Sequence, residues 1–191
     1  MPTWLTVDII LKALAMAGAA LAFLIGLKQY RRAQQWKRAE WVAQEMKELL
    51  ADPLVHAVTL MIDWESADVP LYPDQPTQTD RSLRLNDAQI AAALADHKKR
   101  KPFENFEVDV RNAFDRLLFG LERFSSYVTS DLVSERDLEP YLSYWAKQVC
   151  PKGSPAPRII ALQQYMETYG FSGAYQLLQN LAREVNSTSH K

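Results

Sequence analysis

The chain has 191 residues, 48% hydrophobic, with only 6 Gly and 10 Pro, a composition suited to one helical domain plus an attachment. Its net charge of −1 is unevenly spread: residues 1–27 hold Asp8 and Lys12, residues 28–38 hold five cations and no acid, and residues 39–191 carry the remaining net negative charge. An acidic domain with one confined basic segment excludes duplex-DNA binding, which needs a basic face on the folded domain itself, and a single cysteine, Cys150, excludes an intramolecular disulfide.

The first element is the apolar run "WLTVDIILKALAMAGAALAFLIGL", Trp4 to Leu27. Counted from Leu5 it would reach ~35 Å as a helix, enough to cross a bilayer with some tilt. Asp8 and Lys12 are spaced i,i+4 near its outer end, where they can pair and Lys12 can snorkel. The cations follow the run instead of preceding it, which is the order of a retained anchor and not of a cleaved leader. Lys28, Arg31, Arg32, Lys37 and Arg38 are then the membrane-surface collar, in contact with a bilayer of anionic headgroups. By the retention of Lys and Arg in the cytoplasm, the N-terminus faces out and the rest faces in, at the inner (cytoplasmic) membrane. Gly18, Ala22 and Gly26 recur every four residues and form a stripe of small side chains on which another helix, from a partner protein or a second copy, can pack.

Residues 27–52 contain neither Gly nor Pro, so the anchor is expected to continue unbroken as a basic juxtamembrane helix, with Ala39, Val42, Ala43, Met46, Leu49 and Leu50 on its docking face. Asp52-Pro53 supplies an N-cap and a first-turn proline for a second helix through Trp64. Residues 65–86 are predicted to be a long loop, with no strand anywhere in the chain. Asn86 or Asp87 caps a short helix whose face is Ile90, Ala93, Leu94 and His97.

After the breaker "HKKRKPF" comes the strongest helix, apolar at Phe106, Val110, Ala113, Phe114, Leu117, Leu118, Leu121 and Phe124. Glu107, Arg111 and Asp115 run i, i+4, i+8 on its other side and are expected to be ion pairs on a solvated face. Ser134 and Asp137 form a capping box for the next helix, which tolerates Pro140 in its early turns. Two last helices, 158–169 and 172–185, are separated near Gly170. The second carries Ala174, Leu177, Leu178, Leu181 and Val185 on one face, and "NSTSHK" is expected to be disordered.

The fold expectation is therefore all-α: an anchor (1–27), a basic juxtamembrane helix (28–52), a cytoplasmic bundle of about six helices (53–185, with 28–191 facing inward) and a disordered tail (186–191).

No catalytic motif emerges. His56, His97 and His190 are scattered, and the 126–137 turn lacks the carboxylates and glycine of a calcium loop. Asp63-Trp64-Glu65 is the least weak candidate for acid–base work, although paired carboxylates at helix ends are common, and Cys150 reads as a small, partly buried thiol. Asn186-Ser187-Thr188 matches a glycosylation acceptor that a cytoplasmic tail would keep from the modifying machinery. Tyr141, Tyr144 and Trp145, with Phe103, Phe106, Phe114, Phe119 and Phe124, are an aromatic surplus from which a peptide groove could be built.

The stretches Met61–Trp64, Arg111-x-x-Phe114-Asp115 and Tyr141-Leu142-x-Tyr144-Trp145 resemble a group of small bacterial single-pass membrane proteins to which no activity is attached. The resemblance covers roughly half the chain; it implies the anchor and the helical domain, and no catalytic residues. The functional expectation is a non-enzymatic, membrane-anchored interaction module without cofactor, an accessory subunit or regulator of a membrane complex. The alternative is a membrane-tethered sensor or effector, stress- or defence-related, that recognises a small ligand.

Overall fold

The computed structural model describes residues 3–75, 77, 81–99 and 102–188; the side chains of residues 3–11, 13 and 185–188 are outside that description. The described residues are mostly helical: α1 (Thr3–Ala51), α2 (Pro53–Asp63), α3 (Asp87–Ala93), α4 (Asn105–Thr129), α5 (Glu135–Val149), α6 (Pro157–Tyr169) and α7 (Ser172–Thr188), with strands β1 (Ser66–Val69) and β2 (Leu83–Asn86) between α2 and α3. The chain divides into two compact units, Met1–Trp41 and Val42–Lys191, and the division falls inside α1.

In the first unit α1 runs without a break through the basic segment, as the lack of Gly and Pro between residues 27 and 52 predicts. The expected transmembrane span, Leu5–Leu27, is not supported by the described residues, among which no helix is long and apolar enough to cross a membrane. The physical reason is length. Uncharged described side chains begin at Leu14, and from there to Leu27 a helix rises only ~20 Å, against a hydrocarbon core of ~30 Å. The outer part of the expected span, residues 5–11 and 13, has side chains outside the description.

The second unit is a helical bundle around one hydrophobic core. Val42 and Met46 are fully buried and Leu49 nearly so, which is the docking face read from the 3,4 spacing. Asp52 alone separates α1 from α2, accepting a hydrogen bond on its side chain from Leu54 N (2.9 Å) with Pro53 in the first turn. Leu49 packs against Gly120: a Cβ there would come to 2.5 Å from Leu49 Cδ1, so a larger residue requires the Leu49 side chain to shift against α4.

α4 buries Val110, Ala113, Phe114, Leu117, Leu118, Leu121 and Phe124, as its periodicity requires, and Phe106 is half-buried. Ser134 and Asp137 form the expected capping box of α5, which carries Pro140. Gly170 ends α6 in the left-handed conformation (φ 84°), letting Phe171 N donate to Met166 O (2.9 Å). Glu122 of α4 caps α7 from outside that helix, accepting from Gly173 N (3.2 Å) and Ala174 N (2.6 Å).

Three expectations are corrected. Residues 65–86 are not all loop: β1 and β2 pair antiparallel, Ser66 with Asn86 through Val69 with Leu83. Val69 and Leu85 turn inward while Asp68 and Arg84 pair at 3.2 Å on the exposed side. The alternation is present in "LRLN", but four residues are too few to rise above the proline-rich surroundings. Second, the last helix does not stop at 185 but continues through Thr188; residues 189–191, including His190, lie outside the described residues. Third, Glu107 and Arg111 do not lie on a solvated face, for reasons that belong to the site below.

Candidate functional site

The sequence-predicted surface residues all lie on α1. Lys28, Arg31, Arg32, Lys37 and Arg38 are exposed, as are Gly18, Ala22 and Gly26, and a Cβ added at Gly18 or Gly26 would meet nothing within 4 Å. Leu24, Leu27, Lys28, Arg31, Arg32 and Gln35 line one shallow hollow along the helix. Their spacing by threes and fours puts them on one side, with the leucines at its N-terminal end and the cations beyond. Lys37, by contrast, falls on the opposite side at 100° per residue. Among the described residues Lys28, Arg31 and Arg32 have no acidic partner, and the sequence holds no Asp or Glu between Asp8 and Glu40.

The densest polar arrangement of the second unit is centred on Arg111. Its Nη1 donates to the carbonyls of Ala93 (2.9 Å) and Ala95 (3.0 Å), at and just past the end of α3, where helix carbonyls lack intrahelical donors. Its guanidinium carbon sits 4.8 Å from the ring centroids of Phe103, Tyr165 and Tyr169. Asp115, one turn on, accepts from Tyr165 Oη (2.7 Å). Burial first, then the bond to and charge of Asp115, push the Tyr165 phenol upward, so it stays a protonated donor. Tyr169 Oη accepts from His97 N (3.0 Å) and lies 2.6 Å from His97 Nδ1, completing a chain of side chains from α4 through α6 to the segment after α3.

Glu107, buried to 2%, returns its carboxylate to Glu104 N (2.9 Å) and caps its own helix. The i,i+4 spacing of Glu107, Arg111 and Asp115 therefore serves three different jobs, and no solvated ladder exists. Sequence reasoning missed this because Arg111 finds its partners in Ala93, Tyr165 and Tyr169, which only the fold brings near. The aromatic excess around it was the available signal.

Arg158 does similar work elsewhere. Only 8% exposed, it donates through Nη1 to Asp87 (2.6 Å) and through Nε and Nη2 to Ile62 O (3.3 and 3.2 Å), joining α6 to the end of α2 and the start of α3. Arginine is suited to this because its fork satisfies several acceptors at once.

The carboxylates of the Asp63-Trp64-Glu65 triplet are not brought together into an acid–base pair. Asp63 is half-buried with Oδ1 lacking a hydrogen bond, while Trp64 and Glu65 are exposed. Tyr144 stands near Asp63, and burial followed by that negative charge raises its phenol. His56 is exposed; its N–H donates to Asp52 O (3.0 Å) and its carbonyl accepts from Thr59 Oγ1 (2.8 Å). Cys150 is half-buried at the end of α5, its thiol pushed up to about 11 by burial, with Arg183 opposing.

The aromatic surplus disperses rather than forming one groove. Phe114 and Phe124 are core, Phe119 is 65% exposed against the edge of Phe171, Tyr144 packs edge-on to Trp145, and Phe103 covers Arg111. The arrangement of the second unit can clamp helices together. No family model, curated protein or solved structure matches this chain.

Proposed function

We propose that this chain is a membrane-anchored helical interaction module, an accessory subunit or regulator of a membrane complex. Residues 1–27 are its anchor, its N-terminus faces outward, and residues 28–191 lie in the cytoplasm at the inner membrane. The observation that carries this reading is the surface of α1. Leu14, Met16, Leu21, Phe23, Leu24 and Ile25 are 64%, 74%, 61%, 71%, 60% and 50% exposed. Each such side chain forgoes about 1.5–3 kcal/mol of burial while it faces water. They lie on every side of the helix, Leu14 and Ile25 on one and Met16 and Phe23 opposite. A helix apolar all round needs an apolar surround on all sides, which lipid supplies and a single docking groove does not. The sequence adds the apolar residues from Leu5 and places five cations directly after the run, which supports the orientation.

The test is fractionation followed by purification. The full chain is expected to stay in the membrane pellet through alkaline carbonate extraction, and to bring down a stoichiometric second protein when purified in mild detergent. Release into the carbonate supernatant would overturn the anchor, and a sole monomeric band would overturn the interaction module.

A further inference from the structure

We infer that the side of α1 lined by Leu24, Leu27, Lys28, Arg31, Arg32 and Gln35 is a binding site for the headgroup and upper acyl chain of an anionic phospholipid. The inference rests on the anchored reading above and names the partner of that segment's surface.

The hollow has two chemically distinct ends. Leu24 and Leu27 offer aliphatic surface, and about one turn further the side chains become Lys28, Arg31 and Arg32, with Gln35 at the far end. From Leu24 to Gln35 the helix rises ~16 Å, the scale over which a phospholipid passes from acyl chain through glycerol to phosphate. Arg31 and Arg32 can each present a planar fork to a phosphodiester, and Lys28 adds a point charge between them and the leucines.

The same features exclude the other occupants. A second copy packed in parallel would set three unpaired cations against the same three, with no acid nearer than Glu40 to relieve them. Nucleic acid gains nothing from Leu24 and Leu27, and needs a wider basic surface than one stripe. An amphipathic anion fits both ends at once. Each cation engaged near an anionic headgroup is expected to favour it about fivefold over a zwitterionic one at moderate salt.

The experiment reconstitutes the full chain in phosphatidylcholine bilayers carrying spin-labelled phosphatidylglycerol or spin-labelled phosphatidylcholine, and measures the motionally restricted fraction of each. Phosphatidylglycerol is expected to associate at least about fivefold more strongly, the effect of one engaged cation, and the preference is expected to fall towards equality in the K28Q/R31Q/R32Q variant and in high salt. K37Q, on the opposite side of the helix, is expected to keep the preference. Equal association of the two lipids with the native chain would overturn the site, as would a loss in K37Q matching that of the triple variant. Carbonate extraction of the same preparations separates the two levels. Retention without lipid preference overturns the phospholipid site and leaves the anchor standing, and release overturns both.

Discussion

Replacing Arg111 by leucine is the sharpest probe of the second unit, because a solvated ladder and a buried clamp give different magnitudes. The substitution removes two charge-assisted hydrogen bonds, to Ala93 O at 2.9 Å and Ala95 O at 3.0 Å. Bonds of this kind contribute about 1.5 kcal/mol each at the low end, and their loss leaves the end of α3 uncapped. It also removes the cation from three rings at 4.8 Å, worth roughly 0.5 kcal/mol apiece at a half-buried site. Leucine regains some apolar contact with those rings, so the net loss is about 2–4 kcal/mol. For a domain of this size that lowers Tm by roughly 5–15 °C. Arg111→Lys keeps the charge but not the flat fork, and is expected to recover less than half of the loss.

Urea unfolding of the full chain in mild detergent, followed by near-ultraviolet circular dichroism, reports the packing of the aromatic side chains, Tyr165 and Tyr169 among them. A double-mutant cycle with Tyr169→Leu should return a coupling of about 0.5–1 kcal/mol. A change within ~0.5 kcal/mol for Arg111→Leu, suppressed further by salt, is what an exposed ion-pair residue gives and would refute the clamp.

Two further outcomes follow from the packing. Gly120→Ala places a methyl within 2.5 Å of Leu49 Cδ1; a cost of about 1–3 kcal/mol is expected, and Leu49→Val should relieve much of it, which the same urea titration measures. Cys150 has its thiol raised to about 11. At pH 8 only ~0.1% is thiolate, so alkylation by iodoacetamide should run at least tenfold slower than in the urea-unfolded chain and accelerate between pH 9 and 11. The linkage has a definite sign: the folded state favours the neutral thiol, so this contribution is full below the unfolded thiol's pKa near 8.5 and is lost as pH rises towards about 11. Equal labelling rates in the folded and unfolded chains would contradict the burial.

The local grammar of this chain was enough to place its helices. Asp52-Pro53, Asn86, Ser134 with Asp137 and Gly170 each stop or start a helix by satisfying nearby backbone groups, so the information lies within a few residues. The 3,4 spacing of Val42, Met46 and Leu49, and of the α4 apolar face, predicted burial because one side of a helix must be covered. The confinement of the cations to residues 28–38 is likewise a property of the sequence alone.

What periodicity leaves open is where a polar side chain goes, because charge spacing is the same whether the face meets water or another helix. Glu107, Arg111 and Asp115 have the spacing of a surface ladder, and only the approach of Ala93, Ala95, Tyr165 and Tyr169 turns Arg111 and Asp115 inward. Arg158 and Glu122 find partners far along the chain for the same reason. The pairing of Ser66–Val69 with Leu83–Asn86 needed the intervening residues to fold back before either strand had a partner. Capping by residues next to a helix end and one-sided burial are local and so were legible in the sequence. The destinations of Arg111, Arg158 and Glu122 depend on which helices become neighbours, and that was decided by the tertiary structure.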